Sequence, residues 1–156
     1  MIAVDVPGRG AYRLEYLILD LNGTIATDGH LIAGVRWRIA RLKNSLTIYL
    51  LTSDTYGRGR LIAEELGIQL TVVDQTSGGP DKKAFVEQLG AERVVAVGNG
   101  YNDVMMLQTA GFAIAVTGRE GASGKALHSA DVVVNHICDA LDMLLDPRRF
   151  IATNRA

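Results

Sequence analysis

A chain of 156 residues is long enough to bury one hydrophobic core and too short for two domains of ordinary size, so residues 1–156 read as a single domain. Hydrophobic residues at 48% and charged residues at 21% exclude a disordered chain, and a formal charge of −1 with no basic block gives no electrostatic footprint for nucleic acid. The one cysteine, Cys138, rules out an internal disulfide, and neither a secretory signal nor the ~18 to 20 consecutive apolar residues of a membrane span can be found, so a cytoplasmic protein is expected.

In chain order, "IAVDV" and "YRLEYLILDL" flank the turn formers of "PGRGA", which predicts an opening antiparallel hairpin. Asp28-Gly29, between short apolar runs in "IATDGHLI", predicts a second, smaller one. Five aliphatic runs then follow at 46–52, 68–74, 93–99, 112–117 and 131–135, each bounded by turn residues, as expected of strands buried on both faces. Segments of helical period lie between them. "GVRWRIARLK" aligns Val35, Ile39 and Leu42, and "RGRLIAEELG" aligns Leu61, Ile62 and Leu66 before a glycine stop. "DKKAFVEQLG", "YNDVMMLQTAG", "GASGKALHSA" and "ICDALDMLL" complete the alternation, and "DPRRFIATNRA" reads as a polar, peripheral end on which Phe150 and Ile151 can dock. Alternating strand and helix predicts an α/β fold, a Rossmann-like three-layer sandwich around a mostly parallel sheet.

Ligands of such sheets bind beyond the carboxyl ends of the strands. Asp20, Thr52 to Asp54, Asp74, and Gly98 to Asp103 all stand at those ends, so four distant strands deliver acids, amides and hydroxyls to one rim. Asp54 and Asp74 are read as a helix cap and a strand terminator, Met105 and Met106 as core, and "GRG" at 57–59 as a helix start. "GREGASG" (118–124) suggests a mobile loop near the rim. His30, His128 and His136 have no ligand spacing, and Trp37, off the apolar stripe, is a candidate contact with another subunit.

"LILDLNGT", "IYLLTSD", a helix-opening lysine in "DKKAFVEQL" and "GNGYND", in that order, resemble the motifs of the haloacid dehalogenase superfamily, and most closely its soluble P-type-ATPase-like, capless members. The resemblance implies a magnesium-dependent phosphohydrolase working through an aspartyl-phosphate, most simply on a small phosphomonoester, with ATPase-like phosphoryl transfer as a related outcome. It makes Asp20 the nucleophile and a metal ligand, and gives Asn22 a backbone carbonyl for the metal. Thr52, Ser53, Lys82 and the N–H groups at Leu21 and Asn22 would bind phosphate. Asn99 and Asp103 would hold the ion, and Gly23, Thr24 and Asn102 would support the loops. Lys82 is preferred, with Lys83 the alternate. The segments after Thr24 and Asp54 are too short for a cap domain, so the site should be open unless a second subunit covers it.

Two positions depart from the family pattern. Asn22 stands where the phosphatases carry a general acid, and an amide cannot shuttle a proton, so turnover should be slow. Asn99 replaces a metal-binding acid with an uncharged oxygen, so metal affinity should fall. A degenerate binding or regulatory module is therefore the contrasting expectation, and a dehalogenase-type hydrolase the third.

Overall fold

The computed structural model describes residues 1–54 and 57–156. The opening hairpin forms as expected from β1 (Ile2–Val6) and β2 (Gly10–Leu14), which pair antiparallel. The run "YRLEYLILDL" is not one strand, however, because it divides at Glu15. There the backbone N–H donates to the Arg93 carbonyl at 2.8 Å and the carbonyl accepts from Thr47 N–H at 3.0 Å, drawing the chain into a different sheet. Its second half is β3 (Tyr16–Asp20), buried from Leu17 onward. A short hairpin of β4 (Ala26–Thr27) and β5 (His30–Leu31) follows, turning at Asp28 and Gly29, both at positive φ, as an Asp-Gly hairpin requires.

The remaining strands are β6 (Thr47–Thr52), β7 (Gln69–Val72), β8 (Val94–Gly98), β9 (Phe112–Val116) and β10 (Val132–Val134). With β3 they form a six-stranded sheet in the order β10-β9-β8-β3-β6-β7, and every neighbouring pair is parallel. β3 lies at the centre, and the chain runs outward through β6 and β7 before returning to β8 on the other side of it. Such a reversal opens a crevice beyond the carboxyl end of the central strand.

Among the described residues seven α-helices cover the sheet: α1 (Val35–Leu42), α2 (Arg58–Leu66), α3 (Gly78–Leu89), α4 (Val104–Thr109), α5 (Gly124–His128), α6 (Ile137–Leu145) and α7 (Pro147–Asn154). Alternate side chains of one strand enter opposite layers, as a pleated strand dictates. Leu17 and Leu19 pack with Val35 and Ile39 of α1, Ile62 of α2 and Leu141 of α6, whereas Ile18 packs with Val86 of α3, Met106 of α4 and Ala126 of α5. The result is the expected three-layer α/β/α sandwich.

Three local expectations change. Leu61 is 62% exposed, because α2 turns Gly59, Ile62, Ala63 and Leu66 inward instead. Met106 is buried, while Met105, on the outer side of α4, is not. The C-terminal segment is a helix, started by the Asp146 carboxylate accepting from Arg148 N–H and by Pro147. Its Phe150 is fully buried against Tyr12 and Phe112, with ring centroids 5.3 and 4.3 Å away. That aromatic cluster fastens the opening hairpin to the sheet.

Candidate active site

Strand register puts the polar residues together. Asp20 is paired with Leu51, one residue before Thr52, and Leu19 is paired with Val97, one before Gly98. The ends of β3, β6 and β8 are thus level, and their polar residues share the crevice.

α3 supplies the counter-charge. Gly78, Lys82 and Val86 form its buried stripe at a spacing of four, so Lys82 occupies a core position and is fully buried. Its ammonium donates to Asp20 Oδ1 and to Asp103 Oδ1, both at 2.7 Å. Lys83 instead points outward to Glu87, 3.6 Å away. The two lysines left open by the sequence are separated by the helix geometry.

Asp103 is wholly buried and its other oxygen accepts from the N–H groups of Asn99 and Gly100, at 3.0 and 2.9 Å. This close return of the chain needs a glycine at 98, since a Cβ there would lie 2.6 Å from the Asp103 carboxyl carbon. Both Asp103 oxygens are therefore committed, one to the ammonium and the other to its own loop. Asn102 folds back, its Oδ1 lying 2.6 Å from where a Cβ on Gly100 would stand.

Asp20 Oδ2 lies 3.2 Å from the Thr24 hydroxyl, which is also 3.3 Å from Asn99 Oδ1. With one hydrogen, that hydroxyl donates to only one of them at a time. The Leu21 N–H is aimed at the Asp20 carboxylate itself. Leu21 is buried in the core, and Gly23 at φ +78 turns the chain so that Asn22 projects into solvent at the rim. Thr52, buried, accepts from Asp54 N–H at 3.0 Å and keeps its own hydrogen to donate. Ser53 is half-buried beside it. Asp54 accepts from Gly59 N–H at 2.6 Å, the capping role expected of it, and Asp74 accepts from Thr76 and Ser77 N–H in a turn.

One ammonium facing two buried carboxylates leaves a net negative charge. Burial first, and then repulsion from Asp103, raises the Asp20 pKa to about 6 against the opposing pull of Lys82. Burial alone would lower Lys82, but the attraction of Asp20 and Asp103 outweighs it and holds the ammonium above its ordinary value. The folded state keeps the Asp20 proton to higher pH than the unfolded chain does, so the contribution of Asp20 to stability falls as pH rises from 3.8 to about 6. In metal-free buffer the melting temperature of Asp20→Asn, which cannot titrate there, should gain on that of the wild type across this window. A constant difference would contradict the shift.

Beside the crevice, under the β4-β5 hairpin, lies a cavity of ≈ 410 Å³ lined by Thr27, His30, Ile32, Val116, Arg119 and His136 among others. No local pattern marks His30 and His136 as sharing a wall, because 106 positions separate them and only the fold brings the two loops together. Trp37 is 47% exposed, with the Arg38 guanidinium 4.2 Å from its ring centroid. Among the described residues no group of three or more His, Cys, Asp or Glu is placed to hold a metal ion. Oxygen donors are nevertheless at hand in the Asp20 carboxylate and Asn99 Oδ1, which meet at the Thr24 hydroxyl and are of the hard kind suited to magnesium. Among the described residues no helix is long and apolar enough to cross a membrane.

The family model of haloacid dehalogenase-like hydrolases matches residues 5–111. An uncharacterized protein of Methanocaldococcus jannaschii is 42% identical over 90 residues, which are 53% of this chain and 97% of that protein. A soluble P-type ATPase-like phosphatase of the same organism is 26% identical over 127 residues, 80% of this chain but 46% of its own length, so the chain spans about half of that relative. The 3-deoxy-D-manno-octulosonate 8-phosphate phosphatase from Moraxella catarrhalis, solved in complex with magnesium, phosphate and its sugar acid, shares the fold. It superposes with a TM-score of 0.68 at 17% identity, covering 90% of this chain and 92% of that one.

Proposed function

The chain belongs to the haloacid dehalogenase-like hydrolase family, and from that premise we propose a magnesium-dependent phosphohydrolase that works through an aspartyl-phosphate at Asp20, with residues 1–156 as one catalytic unit. The observation that carries this reading is the buried Lys82 shared between Asp20 and Asp103, because it leaves at a strand-end crevice one negative charge that a divalent cation would offset. The cation would be held by Asp20, Asn99 and the Asn22 carbonyl. When bound it neutralises the approach of two anions, carboxylate and phosphate.

An Asp20 oxygen attacks phosphorus, the bond to the leaving oxygen breaks, and an acyl phosphate remains. The ammonium of Lys82 keeps that carboxylate oriented, and Thr52 donates to a phosphoryl oxygen. Asp103 acts through Lys82, fixing the ammonium. In the second step water displaces phosphate from Asp20. Asn22 can neither protonate the leaving group nor take a proton from that water, so both steps proceed without a general acid or base and turnover is slow. The cavity beside the crevice has the size for the organic part of a small phosphomonoester, the substrate class that its fold relative's magnesium-bound and phosphate-bound complex also suggests. The same reading places the enzyme in the cytoplasm, with its rim open unless a second copy covers it.

Beryllium fluoride with magnesium imitates the phosphorylated carboxylate. It should raise the melting temperature of the wild type by several degrees, and Asp20→Ala should abolish the shift. A shift that survives in Asp20→Ala, or none in the wild type, defeats the assignment.

A further inference from the structure

Asn99 is engaged on every side. Its Oδ1 lies 3.3 Å from the Thr24 hydroxyl, its Nδ2 donates to the Gly121 carbonyl at 3.0 Å, and its own carbonyl accepts from Ser123 N–H at 2.8 Å. A carboxylate at this position could not donate to Gly121 and would face that carbonyl with a lone pair. The amide therefore clamps the 118–123 loop down on the rim.

The clamped loop carries an acid. Glu120 Oε2 stands 2.8 Å from the point a Cβ on Gly23 would occupy, and Asn99 Nδ2 is 2.2 Å from the same point. Gly118 also comes near this turn, its own Cβ position lying 3.3 Å from the Gly23 carbonyl oxygen. A side chain at 23 would collide with both polar groups, and only the bare turn between Asp20 and Thr24 admits them. Glu120 is exposed and, among the described residues, has no ion-pair or hydrogen-bond partner of its own. It also lies outside the residues that the family model matches, which end at 111.

We propose that Glu120 replaces the negative charge missing at Asn99 and serves as this chain's second acid toward the divalent cation. The exchange explains both halves of the geometry. An amide at 99 is needed to hold the loop, and the loop brings back the carboxylate that the amide displaced. The inference rests on the reading of Asp20 as the residue that carries the cation.

The test is a manganese titration of the metal-free protein, followed by the loss of the free-ion electron paramagnetic resonance signal, which reads binding without turnover. Glu120→Gln should weaken binding by roughly tenfold or more, as removing a carboxylate next to a metal site does, while Glu64→Gln, the same charge change on the exposed side of α2, should leave it unaltered. Metal-free melting temperatures should coincide, and Glu120→Asp should recover part of the affinity. If Glu120→Gln binds like Glu64→Gln while Asp20→Asn fails to bind, the role of Glu120 is overturned and that of Asp20 stands. If Asp20→Asn binds as the wild type does, or the wild type does not bind, both fall. A weakened Glu120→Gln that also melts lower without metal and is not rescued by Glu120→Asp overturns the proposal in favour of a loop defect.

Discussion

Lys82→Met should lower the stability of the metal-free protein by about 3–5 kcal/mol and abolish phosphohydrolysis, the largest loss expected of any single substitution away from a big apolar core residue. The side chains of Lys82 and Asp103 are fully buried and that of Asp20 is 9% exposed, so water cannot replace the ammonium when it is removed. Two carboxylates are then left in one apolar crevice, and at least one must take up a proton, which shifts acid-sensitive stability toward neutral pH. Lys83→Met supplies the contrast, since its partner Glu87 is exposed and an outward pair of that kind is worth about 0–1 kcal/mol. Urea unfolding of the two variants measures the difference. A loss below about 1 kcal/mol for Lys82→Met would mean that the buried triad is not charged as described.

Asn22→Asp should raise the turnover of p-nitrophenyl phosphate by about 10²- to 10⁴-fold, the contribution typical of a positioned general acid and base. Asn22 projects into solvent, while its backbone is fixed by the bridge to Ala26 and by Gly23 N–H donating to the Ala26 carbonyl at 2.8 Å. Exchanging amide for acid therefore disturbs no packing and changes only what the side chain can do with a proton. The gain should appear in kcat with little change in KM, and steady-state kinetics at saturating magnesium reads it. No gain, with cation binding intact, would favour a module that kept the fold and gave up hydrolysis.

The layered fold was legible because its strands are continuous aliphatic runs and its helices carry apolar stripes, signals that depend on neighbours along the chain. Glu15 shows where such signals stop. Nothing local marks it as the border between two sheets, since the border is made by the backbones of Arg93 and Thr47. Leu61 failed for a related reason, as Gly59 and Ala63 are small enough to face inward and rotate α2 away from its leucine. In the crevice, Asp20, Thr52 and Asp103 could be named from their strand ends, whereas the preference for Lys82 over Lys83 came from likeness to other proteins. The stripe of Gly78, Lys82 and Val86 offers an independent route to the same lysine. The clamp made by Asn99 was not legible, because a loop rich in glycine and serine carries no pattern that says which carbonyl a distant amide will meet.

Placing β3 between β6 and β8 also constrains how the chain acquires its site during synthesis. Asp20 and Thr52 leave the ribosome early and can pair through their strands, but the lysine that offsets Asp20 arrives 62 positions later and the loop that secures this lysine later still. Until α3 docks, sealing the end of β3 would strand an unpaired anion in apolar surroundings, so that end must stay hydrated. The nascent half-sheet therefore has an electrostatic reason to remain unsealed until β8 closes the gap, and Asp20 gains its counter-charge only as one of the last acts of folding.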